Sequence, residues 1–424
     1  MATIIQCGSI LTGPPWEPDE GCTIVADDGG RIISIENGEK RGAARKAATA
    51  CDAALAPGAQ AVPVAPTSVA APAVPATSAM SDASATDVVV DWTDYMVLPG
   101  LVDCHDHLGI DLGDERAQSY DHDAVITLRA VRNARHLLRS GITSLRDVGE
   151  SRHLDVYWKR AISEGVVEGP RLLIAGEFIM RTGGHGWYGG LEADGEVAVR
   201  KAVREQVKWQ SDLVKIMITG GVSTEGSSPT MSDYTREEIA AAVDEAHRLG
   251  RKIAAHVHGG DGATWAIEAG VDSIEHGVFL TREQLKMMAE KGTFLVVTYG
   301  VMQYAAESPG VPAYYREKAA AACQAYMNTL RAARECGVPV AIGGDTYHGD
   351  PTAEVQALLG AGYTLKQALA AATLEGARLC GISDLVGSIE VGKMCDLVAF
   401  RREDILAGDL RQVRGVVKAG KVCG

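Results

Sequence analysis

Gly100-Leu101-Val102-Asp103-Cys104-His105-Asp106-His107 is a short apolar run, long enough for one buried strand, that ends in two histidines one residue apart. Side chains of a strand alternate between its two faces, so His105 and His107 can aim their imidazoles at one point. Cys104 has the opposite parity and turns into the core. Two imidazoles at one point suit a zinc-like ion, which needs further nitrogen or oxygen ligands. Taken alone, the pair is equally compatible with two surface histidines. The rest of the chain has to supply the missing ligands.

Downstream of this run, apolar strands alternate with amphipathic helices. The expected strands are Leu101–His105, Ile142–Asp147, Arg171–Ala175, Leu213–Ile218, Lys252–Val257, Ser273–His276, Thr293–Val297 and Pro339–Gly343. Stretches such as Val125–Ser140, Val197–Gln210, Arg236–Leu249, Thr264–Ala269 and Ala319–Cys336 carry helical periodicity between them. Eight strands with intervening helices predict a (β/α)8 TIM barrel. An open doubly wound sheet would want a glycine-rich phosphate turn after its first strand, and there is none.

Both ends of the chain read differently. Thr3–Cys7, Cys22–Ala26, Arg31–Ile35 and Val88–Trp92 have strand character, with the turn Asp27-Asp28-Gly29-Gly30 between the second and third. β character returns after Ala377 at Gly387–Ile389, Cys395–Phe400, Val413–Val417 and Lys421-Val422. The expected organisation is a small β-sandwich domain built from both termini, residues 1–96 and 378–424, with a metal-dependent barrel at 97–377 inserted in it. Residues 42–85 are rich in Ala, Pro, Val, Ser and Thr without periodicity, and are expected to be a low-complexity insertion in the β domain.

With 424 residues, 46% hydrophobic and 23% charged, the composition is that of a globular protein with ample material for a large core. A formal charge of −14 argues against nucleic acid or an anionic membrane as the main partner and leaves a small molecule open. No apolar run reaches the length of a membrane span, and Met1–Cys22 lacks a basic start followed by an apolar stretch, so a cytoplasmic location is expected. Nine scattered cysteines without a Cys-x-x-Cys pair suit reduced, packed thiols rather than a disulfide framework.

Catalytic groups of a barrel sit at the C-terminal ends of its strands. Those ends carry His105 and His107 on the first strand, Lys215 on the fourth, His256 on the fifth, His276 on the sixth and Asp345 after the eighth. Lys215 is flanked by Leu213, Val214, Ile216, Met217 and Ile218, where an unpaired ammonium is costly to bury. Two readings stand for it. Either its stem carries the ammonium to solvent or to Asp345, or carbon dioxide converts it to a carbamate, a carboxylate-like anion able to bridge two divalent ions.

This strand-end set resembles the binuclear metal-dependent amidohydrolase superfamily. The stretches Gly141–Gly149 (GITSLRDVG), Gly169–Gly176 (GPRLLIAG), Thr182–Gly186 (TGGHG), Asp212–Val222 (DLVKIMITGGV), Ile253–Gly259 (IAAHVHG), Ser273–Gly277 (SIEHG) and Gly387–Phe400 (GSIEVGKMCDLVAF) are similar to one branch of it. That branch holds prolidase-like enzymes, Xaa-Arg dipeptidases and ochratoxinase-type amidases. The resemblance implies two divalent ions, expected to be zinc, and a carbon dioxide-derived carbamate on Lys215. His105 and His107 would then bind the more buried ion and His256 and His276 the more exposed one. Carbamylated Lys215 would bridge them, and Asp345 would bind the first.

The expected reaction is hydrolysis of an amide C–N bond by a hydroxide that the two ions share. Asp345 would serve as general base and then general acid. His258, on the same strand face as His256, would hydrogen-bond the polarised oxygen, or else orient a ligand. His185, on a glycine-rich loop after strand three, is expected to touch the polar or carboxylate end of the substrate. Trp187 and Tyr188 are placed either at an apolar pocket wall or in loop packing. Tyr234, Tyr347 and His348 lie on loops that could line the site, with a packing role as open an alternative.

The expected substrate is a dipeptide or N-acyl amino acid, whose carboxylate needs a cation, with His185, Arg146 and Arg181 as candidates. The alternative is an amidase, carbamate or urea hydrolase acting on an aromatic xenobiotic. Lactonase or phosphotriesterase activity ranks lower. A non-catalytic barrel predicts lost ligands, and a single-metal deaminase predicts no lysine ligand. A homo-oligomer is expected from the branch.

Overall fold

The computed structural model describes residues 2–37 and 87–423; the expected insertion at 42–85 lies outside the described residues. The leading strands are β1 (Thr3–Leu11), β2 (Pro18–Ala26), β3 (Ile32–Asn37) and β4 (Val88–Pro99). Through β1 buried and half-buried residues alternate, the pattern of a strand with one covered face. The barrel strands then begin with β5 (Leu101–Asp106), β6 (Ile142–Asp147) and β7 (Arg171–Ile174). Two short strands, β8 (Ile179–Met180) and β9 (Leu191–Glu192), come before β10 (Leu213–Met217), β11 (Lys252–Val257) and β12 (Ser273–His276). After them come β13 (Phe294–Val297) and β14 (Val340–Ile342), and β15 (Leu397–Phe400), β16 (Gly415–Lys418) and β17 (Lys421–Cys423) finish the chain.

β5, β6 and β10 are buried at every residue, as strands covered by helices on one side and a packed interior on the other must be. Parallel pairing runs β5-β6-β7 and β10-β11-β12-β13-β14. The Asp212 amide donates to the Ile174 carbonyl at 2.8 Å, joining β7 to the start of β10. Asp345, just past β14, donates its amide to the His105 carbonyl at 2.6 Å. That contact closes the eight-stranded barrel. Several helices around it start on polar caps: Thr235 and Glu238 form a capping box for Arg236–Arg248, and Thr281 and Gln284 do so for Arg282–Lys291.

Strands from both chain ends form one seven-stranded sheet in the order β17-β16-β15-β4-β1-β2-β3. It curls until its far edge meets the segment before β15, with Ile32 N to Lys393 O and Cys395 N to Gly30 O both at 2.8 Å. The curled sheet encloses Ile5, Ile24, Ile32, Trp92, Leu397 and Val417 as a core of its own. Arg171 pairs with Asp396 at 2.7 Å and fastens this sheet to the barrel.

Local details depart from the sequence expectation. Gly387–Ile389 forms no strand, because it has only the edge contact of Ile389 N with Thr12 O at 2.7 Å. The long helix starts at Ala313 rather than 319, and a separate helix, Tyr299–Glu307, precedes it. No helix among the described residues is long and apolar enough to cross a membrane.

Candidate metal centre

The ends of β5, β10, β11, β12 and the segment after β14 converge on one cavity, which His105, His107, Lys215, His256, His276 and Asp345 all line. His105 and His256 lie on strands, where the pleat directs them inward. His276 and Asp345 reach the same point with φ of 70° and 57°, the left-handed region that non-glycine residues rarely adopt. That conformation costs of order 1–3 kcal/mol and persists where the surroundings impose it, commonly at functional sites.

Nε2 of His105 and of His107 lie 3.9 and 4.0 Å from Oδ1 of Asp345. Such spans suit an ion bonded to each neighbour at about 2.0–2.2 Å. The rings of His105 and His276 are 4.7 Å apart and those of His256 and His276 4.6 Å. Lys215 is fully buried and its Nζ has no hydrogen-bond partner among the described residues. An ammonium without such a partner, near the charges of Glu275 and Asp345 and amid imidazoles, fits a lysine that becomes an anionic ligand. The donor set therefore fits two divalent cations.

The second layer of contacts engages one nitrogen of each of three imidazoles. His105 Nδ1 is 2.7 Å from Glu275 Oε2, His107 Nδ1 is 2.8 Å from the Gly149 carbonyl, and His276 Nδ1 is 2.7 Å from Thr298 Oγ1. In each case Nε2 is left for the cavity. Glu275 is itself held by Arg146, whose Nη2 lies 2.8 and 2.9 Å from its two oxygens. Burial, reinforced by Lys215, holds His107 down to about 3, and burial holds His105, His256 and His276 well below the usual imidazole range. All four are neutral near pH 7, as metal ligands must be. Burial first, and the Glu115 charge second, push Asp345 up to about 7.

His258 stacks on His276 with ring centres 5.1 Å apart, and neither of its ring nitrogens has a hydrogen-bond partner among the described residues. His185 lines the cavity 4.3 Å from the His256 ring, its Nδ1 2.8 Å from Thr224 Oγ1. A Cβ on Gly221 would stand 2.3 Å from that ring, so only glycine admits it. Tyr188 also lines the cavity.

Other expected contacts lie elsewhere. Trp187 is 37% exposed and sits under the Arg116 guanidinium at 5.1 Å, on the outside of its loop. Tyr234 is buried and its hydroxyl donates to the Ala193 carbonyl at 2.9 Å, which makes it packing. His348 is buried behind β5, with Nδ1 2.9 Å from Asp106 Oδ1 and Nε2 2.8 Å from the Ile110 carbonyl. Tyr347 stacks on Tyr304 at 3.8 Å. Of the candidate cations, Arg146 is engaged by Glu275 and Arg181 by Asp233, leaving His185 at the cavity.

Glu115, Phe178, Met302 and Tyr315 line the cavity without having been singled out in the sequence. Glu275 is a further omission. Its only signal was an acid inside an apolar strand beside His276.

The sequence profile of the Amidohydrolase family matches residues 96–423. The chain is 31% identical over 364 residues to ochratoxinase of Aspergillus niger, covering 77% of this chain and 75% of that protein. A crystal structure of a Xaa-Pro dipeptidase with bound methionine superposes with a TM-score of 0.83 at 30% identity, covering 100% of this chain and 99% of that one. The crystal structure of A. niger ochratoxinase gives a TM-score of 0.77 at 26% identity, covering 99% and 95%. With that profile match and these relatives, the chain belongs to the amidohydrolase family, in its prolidase and ochratoxinase branch, and is a hydrolase.

Proposed function

We propose that the chain is a binuclear metal hydrolase that cleaves the amide C–N bond of a dipeptide or N-acyl amino acid. The observation that carries this reading is the convergence of His105, His107, His256, His276 and Asp345 on a buried Lys215 whose Nζ has no partner among the described residues. Burial pushes the Lys215 ammonium down to about 8, so part of the amine is uncharged near neutral pH. The neutral amine adds to carbon dioxide: an N–C bond forms, a proton leaves, and a carbamate anion remains. His105, His107 and Asp345 would hold one ion, His256 and His276 the other, and the Lys215 carbamate both. When bound, these ions, zinc by the preference of imidazole-rich sites, supply an acidified water and polarise the substrate carbonyl.

The remaining work falls to the chain. Asp345 takes the proton of the attacking water and hands it to the leaving amine. His258, with its ring nitrogens unengaged, donates to the carbonyl oxygen as charge develops there. His185 and Tyr188 meet the rest of the substrate. The likeness to a Xaa-Pro dipeptidase supports a dipeptide. Phe178, Met217 and Met302 on the cavity wall favour a second reading, an aryl amide, carbamate or urea.

The test is purification with zinc and bicarbonate, then release of amine from dipeptides, N-acyl amino acids and aryl amides, carbamates and ureas. Turnover of the amino acid set, lost with chelator and in Lys215→Ala, is the expected result. Turnover of the aryl set alone selects the second reading. A protein that holds no metal under these conditions refutes both.

A further inference from the structure

Lys318 lies on the second turn of helix Ala313–Cys336 and does not line the cavity, yet the loop after β10 is gathered around it. Its Nζ donates to the carbonyls of Ser227 at 2.7 Å, Thr224 at 3.0 Å and Gly221 at 3.5 Å. A lysine ammonium has three N–H donors and no acceptor, so all three are spent on this loop. Carbonyl oxygens drawn to one point repel one another unless a cation sits between them, and the half-buried ammonium is that cation. Glu225, on the same loop, is the acid that faces it. One turn earlier, Tyr314 places its ring 5.9 Å from Nζ and donates its hydroxyl to the Ser223 carbonyl at 3.0 Å. Helix positions four apart share a face, so one face of the helix grips the loop at four carbonyls.

The grip matters because of what the loop carries. Val222 and Ser223 form part of the cavity wall. Thr224 Oγ1 accepts from the Gly186 amide at 3.1 Å and meets His185 Nδ1 at 2.8 Å. The Gly221 backbone packs so closely on the His185 ring that a Cβ there would collide with it. The ring is thus held by Gly221 and Thr224 on the loop and by His256 across from them. No proposed metal ligand lies on residues 220–228. We infer that Lys318 is a positioning residue: by clamping residues 221–227 it fixes the His185 ring and the Val222-Ser223 wall against the substrate, and so governs binding rather than the chemical step. This rests on the amide-hydrolase reading, in which His185 meets the substrate, and deepens it. A lysine that served structure alone would lower stability when lost and leave KM where it was.

The test uses the zinc-loaded full chain and the best substrate of the amine-release panel. Lys318→Met keeps the stem and removes the donors. It is expected to hold its zinc and to lower kcat/KM about tenfold or more, chiefly through KM. Lys318→Arg keeps the charge but fans its donors in a plane, and recovers part of the loss. In a His185→Ala background Lys318→Met costs far less, because the ring it positions is gone. Losses that simply add in the double variant, or a KM that Lys318→Met leaves unchanged, overturn the inference and make Lys318 a clasp for its loop. Loss of zinc overturns it as well, since the loop holds no ligand. Hydrogen exchange reads the same device without turnover: in Lys318→Met the amides of 220–228 and of 183–189 exchange faster, and those of β6 at the wild-type rate. Unchanged exchange at 183–189 overturns the inference. If no substrate of the panel turns over, the amide reading is what fails, and exchange alone decides the role of Lys318. Should Lys318→Met not fold, Lys318→Arg takes its place in each comparison, with smaller losses expected.

Discussion

Glu275 never reaches a substrate, yet it decides which nitrogen His105 offers to an ion. With Arg146 on one side and His105 Nδ1 on the other, it holds the proton on Nδ1 and leaves Nε2 lone-paired. Glu275→Gln is expected to lower zinc affinity about 10–100-fold, read by competition with a chromogenic chelator. Gly343→Ala acts on the same histidine by volume. Its Cβ would stand 2.5 Å from His105 Cβ, so the variant should lose metal along with about 1–3 kcal/mol of stability in urea unfolding. His348 gives a pH signature. Burial opposes its charge, but Asp106 and the hydrogen bonds around it prevail and raise it from the ordinary 6.5 to about 10. A group whose folded value is raised contributes fully below its unfolded value and loses that contribution as pH climbs through the folded one. The stability gap between wild type and His348→Gln, up to about 5 kcal/mol, should therefore be widest at pH 6 and below and vanish above pH 10. Strand alternation brought His105 and His107 together, and the strand ends with the family resemblance made Lys215, His256, His276 and Asp345 legible beside them. Neither could reveal Glu275 or Arg146, whose partners lie more than a hundred residues away, nor show that Tyr234 and His348 turn away from the cavity.

Helix Ala313–Cys336 supports the site through two links. Its Tyr326 hydroxyl accepts from the Thr298 amide at 2.9 Å, and Thr298 Oγ1 in turn meets His276 Nδ1. Tyr326→Phe leaves that buried amide unpaired, costing about 1–3 kcal/mol. On the proposed binuclear reading it should also weaken the site of His256 and His276 before the other, seen as a lower zinc stoichiometry on dialysis. The start of this helix was not legible: the alanine run from Ala319 has the stronger helical pattern, whereas the helix begins after Pro312, its N-cap. β8 and β9, two residues each, carry no periodicity to read. They matter even so, because Leu191 N to Phe178 O and Ala193 N to Met180 O, at 2.9 and 2.8 Å, pin the base of the loop that carries His185.

At the scale of the whole molecule, stability and metal content are linked, because ions that bind the assembled site alone pull the folding equilibrium toward it. If the proposed centre binds zinc, each ion at a thousand times its dissociation constant adds about 4 kcal/mol, so chelation should lower the melting temperature and zinc should restore it. The (β/α)8 alternation was legible over most of the chain because buried strands and amphipathic helices differ in period. The pairing of distant strands was less so: β15 lies between β4 and β16, a neighbourhood no local pattern encodes. That placement constrains how the protein is made. A nascent chain leaves the ribosome with β1 to β4 already out, but β4, which ends at Pro99, has no partner on its β15 side until Leu397–Phe400 has followed. While the barrel between them is being made, that edge stays open to other chains, so slow elongation lengthens its exposure rather than helping the sheet to form.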